Sequence, residues 1–137
     1  MLELCWKGGM AFEAMPDSGA NFVMDAYPEV GGQCLGPTPL EAFLSGMAAC
    51  SAMDVMVIMQ KKRQIVNKYR VEIHVERDEE RPYPRPYQKI IVKHILEGEE
   101  LDNVAVQKAV ELSDEKYCTA IATLRAAPTI TSEWEVR

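Results

Sequence analysis

Four cysteines and two histidines carry the most versatile chemistry in this sequence. A cysteine thiolate serves as nucleophile, redox centre or soft-metal ligand. Cys50 lies within Gly46-Met47-Ala48-Ala49-Cys50-Ser51-Ala52-Met53-Asp54. Small residues around it would let a second backbone or a ligand approach the sulfur. Asp54 follows one helical turn later on the same face, which puts an ionisable group where a purely apolar core would have none. Cys118 follows Tyr117 where one helical pattern breaks and another begins, and a helix N-terminus stabilises a thiolate. The bland alternative for both is a packed cysteine, since cysteine is among the most buried residue types. Cys5 shares a strand face with Glu3 and Lys7, and Cys34 sits in a glycine-rich loop, so both read as incidental. No C-x₂₋₄-C or H-x₃₋₅-H pair occurs, so no metal site is expected. His74 and His94 fall in strand patterns and are expected on wet, outward faces.

Glu41 is a third candidate, because a carboxylate near a thiol could orient a base or a cation. Thr38-Pro39-Leu40-Glu41 also reads as a capping box with proline at the first helical position, which gives Glu41 a structural task. The run Lys61-Lys62-Arg63 could bind an anion, but cations at a helix C-terminus complement its dipole. Neither standard phosphate-binding glycine loop is present, nor is the G-x-S-x-G elbow.

The elements that must position these residues follow from periodicity. Leu2, Leu4 and Trp6 alternate with polar residues, and Met10, Phe12 and Ala14 repeat the pattern after a Gly8-Gly9 turn. Phe22, Met24 and Ala26 suggest a third strand. A helix is predicted from Thr38 to about Gln60–Arg63, roughly 36 Å long. It is apolar on all sides from Phe43 to Met59, which marks a helix surrounded by protein. Residues 69–77 read as a half-buried strand and 87–96 as the next. A helix from Asp102 or Asn103 to about Glu115 is broken over 113–117 and followed by a short helix from Cys118 to about Arg125. Alternation of Ile130, Trp134 and Val136 with polar residues predicts a last strand. Strands come in runs instead of alternating with helices, so the class is α+β.

The chain of 137 residues has a formal charge of −6 and is 47% hydrophobic. That length fits a single domain, residues 1–137, able to bury roughly 68% of its unfolded surface. Its apolar content argues against disorder. Net acidity argues against nucleic acid as a partner. Asp54 interrupts the longest apolar run, which argues against a membrane span. Met1-Leu2-Glu3-Leu4-Cys5-Trp6-Lys7 lacks the basic and apolar regions of a signal peptide. A reducing cytoplasm is therefore expected, where a reactive cysteine pair would be a redox device.

Gly36-Pro37-Thr38-Pro39-Leu40-Glu41-Ala42-Phe43-Leu44, continuing through Ala48-Ala49-Cys50 to Met53-Asp54-Val55, resembles the helix motif of the OsmC/Ohr family, the osmotically inducible and organic hydroperoxide resistance proteins. Lys116-Tyr117-Cys118 is similar to that family's second cysteine at a helix start. The resemblance covers nearly the whole chain and suits the generic OsmC-like branch. It implies an OsmC-like fold, with antiparallel N-terminal strands, a long buried central helix, two more strands, two helices and a C-terminal strand. It also implies an intertwined homodimer and thiol peroxidase chemistry in oxidative-stress defence. Cys50 would attack an organic hydroperoxide and Cys118 would resolve the product as a disulfide. No bound cofactor is implied; a dithiol such as dihydrolipoamide would supply electrons. Family peroxidases activate the thiolate with an N-terminal-region arginine and a glutamate ten residues before the cysteine. Here no arginine precedes Arg63, and that glutamate position is Leu40, with Glu41 one step round the helix. The departures leave a second reading, a non-enzymatic dimer that binds small molecules or electrophiles.

Overall fold

The computed structural model describes residues 1–136. Their contacts divide into two compact units, Met1–Gly46 and Met47–Arg137.

The first unit is built on three short antiparallel strands, β1 (Glu3–Trp6), β2 (Phe12–Met15) and β3 (Phe22–Met24), in sequential order. Trp6 pairs with Phe12 across the Gly8-Gly9 turn, and both glycines adopt the positive φ that such a turn needs. The loop after β3 is pinned by one buried carboxylate. Asp25 accepts backbone N–H bonds from Ala26 at 2.7 Å, Gln33 at 3.0 Å and Leu35 at 3.2 Å. Those bonds, led by the one from Ala26, hold its pKa below the ordinary aspartate value despite burial. At Gly36 a Cβ would lie 1.9 Å from the Val23 carbonyl oxygen, so the close passage of this loop over β3 requires glycine.

The central helix, α1 (Pro39–Lys61), starts with the predicted capping box. The Thr38 N–H donates to Glu41 Oε2 at 2.8 Å, and the Glu41 N–H donates to Thr38 Oγ1 at 3.3 Å.

The second unit contains a long two-stranded antiparallel ribbon, β4 (Ile65–Glu76) and β5 (Lys89–Glu99), followed by α2 (Asn103–Leu112), a π-helical turn (Ser113–Tyr117) and α3 (Thr119–Ala126). β4 starts earlier than the alternation at Tyr69 suggests, because a register shift between Val66 and Lys68 lets the pairing continue to Ile65. Asp102 caps α2 by accepting from the Val104 N–H at 2.9 Å. Val55 and Met59 of α1 pack against Ala109 of α2, with Val66, Tyr69 and Leu96 of the ribbon around them.

The buried residues of α1, Met47, Ala48, Ser51, Val55 and Met59, form a single stripe, while Met53 is 68% exposed and Val57 is also exposed. One chain of this length covers only one face of this apolar helix. Two expectations need correction. First, the C-terminal strand does not form among the described residues. The 127–136 segment has no regular secondary structure, and Ile130, Trp134 and Val136 are 87%, 90% and 92% exposed. Alternation supplies an apolar face, but a strand also needs a neighbouring edge for its backbone groups. Second, His94 is half-buried instead of lying on an outward, wet face. It pairs with Val71 across the ribbon, on the inward side with Val92 and Leu96.

Candidate active site

The site is assembled by close approach of α1 to the π-helical turn. Helix α1 offers Ser51, a small side chain with no exposed surface, and the turn offers the equally buried Ser113. Their hydroxyl oxygens lie 3.0 Å apart. The Ser113 hydroxyl also lies 3.3 Å from the Ser51 carbonyl oxygen and 3.3 Å from Asp54 Oδ2, both acceptors. The Cys118 N–H donates to the Ser113 carbonyl at 2.9 Å, the i→i+5 bond that closes the turn. This extra residue in the turn brings the start of α3, and with it Cys118, against Cys50.

Cys50 Sγ, Cys118 Sγ and an Asp54 carboxylate oxygen all lie within 4.8 Å of one another. Both cysteines are unbridged. Cys118 is only 2% exposed, whereas Cys50 is partly open to solvent. Burial, chiefly, raises the Cys118 pKa above the ordinary thiol value. The neighbouring Cys50 thiol adds to that rise, and the N–H groups of Ile121 and Ala120 at the start of α3 work against it. These surroundings favour the protonated thiol of Cys118.

Asp54 also lines a pocket of about 310 Å³ with Val57, Ile58, Lys61, Lys62, Leu112 and Tyr117. The pocket is largely apolar, with two lysines on its wall. Arg125, in α3, is engaged by donating to the Asp114 carbonyl at 2.8 Å.

Glu41 belongs to the first unit. One of its oxygens accepts from the Thr38 N–H, and the other accepts from the Tyr27 hydroxyl at 3.0 Å. These bonds, the Thr38 N–H first, lower its pKa. Both oxygens are thus engaged in capping and in holding Tyr27. Cys5 and Cys34 are exposed in that unit. Nothing in the sequence points directly to the Ser51–Ser113 contact. The small residues around Cys50 forecast a close approach, but not what makes it.

Most of the chain matches one known family. The family described as OsmC-like protein matches residues 31–133, and the chain belongs to it. It is 38% identical over 131 residues to protein YhfA of Escherichia coli K12, covering 96% of this chain and 93% of that protein. A hypothetical protein from Aquifex aeolicus has a similar structure, with a TM-score of 0.74, 29% identity and coverage of 100% and 95%. The organic hydroperoxide resistance protein OhrB of Bacillus subtilis shares the fold, with a TM-score of 0.54, 21% identity and 90% of each chain covered.

Proposed function

We propose that this OsmC-like protein is a thiol-dependent peroxidase that reduces organic hydroperoxides in oxidative-stress defence. The observation that carries the reading is the approach of Cys50 Sγ and Cys118 Sγ to within 4.8 Å, one thiol accessible and the other buried. The Cys50 thiolate attacks the distal peroxide oxygen. The O–O bond breaks, the alkoxide takes a proton and leaves as the alcohol, and Cys50 becomes a sulfenic acid. The Cys118 sulfur then attacks the Cys50 sulfur, water leaves, and a disulfide forms. A dithiol such as dihydrolipoamide reduces that disulfide by exchange and is itself oxidised. Bridging requires the two sulfurs to close to about 2.05 Å.

Glu41 is the least supported of the three catalytic candidates, since both its oxygens already have partners. The reducing cytoplasm suits chemistry that needs free thiols. The exposed apolar side of α1, with Met53 and Val57, and the unpaired apolar residues of the C-terminal segment support a homodimer. Such an assembly should sediment at twice the chain mass.

The test mixes reduced protein with cumene hydroperoxide and dihydrolipoamide. Turnover should consume two thiols per chain before reductant is added and should vanish in Cys50→Ser. Turnover that survives Cys50→Ser overturns the assignment. The largely apolar pocket beside Asp54 favours the second reading, a small-molecule or electrophile binder. Ligand binding with no thiol consumed would establish that reading instead.

A further inference from the structure

We infer that Cys50, Asp54 and Cys118 form a binding site for a thiophilic divalent cation of the Zn²⁺ type. Two sulfurs and a carboxylate oxygen converge within 4.8 Å of one another. Around a tetrahedral Zn²⁺, with Zn–S near 2.3 Å and Zn–O near 2.0–2.2 Å, ligand atoms stand roughly 3.5–3.8 Å apart. Side-chain rotation of the three residues spans that difference. Cys50 and Asp54 are spaced i, i+4 on α1, the spacing by which one helix face presents two ligands. Cys118 comes from the start of α3, far away in sequence. The short-range pair patterns that mark a zinc site in a sequence therefore do not register it.

The surroundings suit the ion. The buried Ser113 hydroxyl lies 3.3 Å from Asp54 Oδ2, an outer-shell partner that would orient the carboxylate. Two thiolates and one carboxylate exceed the ion's charge by one negative unit, and Lys61 and Lys62 line the pocket that Asp54 also lines. That pocket provides an entry path on the Asp54 side, and the fourth position would fall to water. On binding, each thiol gives up its proton to solvent and a metal–sulfur bond replaces the S–H bond, with no change of oxidation state. The same sulfurs cannot be ligands and a disulfide at once, so the ion would hold the pair reduced and shield it from oxidants. Ion binding does not depend on hydroperoxide chemistry, and either can fail without the other.

The experiment titrates Zn²⁺ alone into the reduced, full-length protein against a chromophoric chelator, with no peroxide present. One ion per chain should bind, with two protons released. Cys50→Ser and Cys118→Ser should each abolish that binding. Asp54→Asn should weaken it beyond the roughly 10–100-fold loss that removal of an outer-shell partner causes. The Cys5→Ser/Cys34→Ser double variant should bind as the unaltered protein does. Binding that is unchanged in Asp54→Asn, or that is lost only in the Cys5→Ser/Cys34→Ser variant, overturns the site. Two measurements on the unaltered chain cover the case in which a variant fails to fold. Co²⁺ should give thiolate-to-metal charge-transfer absorption, and Zn²⁺ should protect Cys50 and Cys118, identified by peptide mapping, from alkylation. The lack of either signal likewise overturns the proposal.

Discussion

Ser51 and Ser113 meet hydroxyl to hydroxyl at 3.0 Å with no exposed surface on either residue. They are 62 positions apart in the chain, and each is the near neighbour of a reactive group. Ser51 follows Cys50 on α1, and Ser113 accepts, through its carbonyl, the backbone bond that positions Cys118. A polar clasp therefore holds the two thiol-bearing segments together where apolar packing alone would leave their spacing less defined.

Removing one half of that clasp should cost more than one hydrogen bond. In Ser113→Ala, the Ser51 hydroxyl and the Asp54 carboxylate both lose a buried partner, a loss of about 1–3 kcal/mol. In Ser51→Ala/Ser113→Ala both hydroxyls disappear together, so the combined loss should be smaller than the sum of the single losses. Urea denaturation of the four proteins in this cycle measures the coupling. Additive losses would mean that the two hydroxyls act independently.

Glu41 should prove to be a stability residue with a pH signature. Its carboxyl titrates below the ordinary glutamate value because the Thr38 N–H, foremost, and the Tyr27 hydroxyl bond the charged form. A depressed folded-state pKa means that the contribution is complete above the unfolded value, about 4.3, and is lost as the pH falls through the folded one. Glu41→Gln should flatten that acid limb of the stability curve while leaving peroxide turnover near the unaltered rate. Thr38→Ala should lose about 0.5–2 kcal/mol of stability. A collapse of turnover in Glu41→Gln with the fold intact would restore Glu41 to the chemistry.

His94 gives the opposite kind of probe, a half-buried base whose neutral form is favoured. Its Nδ1 lies 2.6 Å from the Tyr69 hydroxyl, and burial, foremost, lowers its pKa from the ordinary 6.5, with Asp114 pulling the other way. With the folded value below the unfolded one, stability is full above about pH 6.5 and declines as the pH drops through the interval between them. His94→Gln should remove that decline, as read from denaturation midpoints. Burial also pushes Tyr69 up to about 12, so its phenol should stay un-ionised in ultraviolet titration to about pH 11. A Tyr69 phenolate that appears near pH 10 would show that this face of the ribbon is wet.

Much of this architecture was legible because local physics is local. Thr38 and Glu41 announce the start of α1, Asp102 announces α2, and Gly8-Gly9 announces the first hairpin. Their partners lie within a few residues, so propensity and capping suffice. The elements that differ all depend on something distant. Ile130 and Trp134 alternate as a strand would, but a strand needs an edge that the pattern cannot name. A histidine in a strand pattern reads as outward on its own; the face of His94 follows from pairing with Val71 on the other strand. Cys50 and Cys118 were recognisable singly, but their closeness depends on a π-helical turn, and nothing in Ser113-Asp114-Glu115-Lys116-Tyr117 marks one extra residue per turn.

The unequal burial of the two thiols should appear as an order of reaction. Cys118 is almost fully enclosed and its pKa is raised, mainly by desolvation, so little of it is thiolate at neutral pH. Alkylation follows the thiolate fraction and access, and Cys50 is the more open of the pair. Limited iodoacetamide treatment of the reduced protein, read by peptide mapping, should therefore label Cys50 well before Cys118. The gap should narrow only as the pH rises beyond the ordinary thiol range, where Cys118 begins to ionise. The same asymmetry sets the fate of the oxidised site. In Cys118→Ser the resolving thiol is gone, so a single addition of cumene hydroperoxide should leave Cys50 as a sulfenic acid that a dimedone probe captures. In the unaltered protein the probe should capture little, because the disulfide forms first. If Cys118 is labelled first, or if Cys118→Ser yields no more captured sulfenic acid than the unaltered chain, then the roles of the two sulfurs are not those assigned.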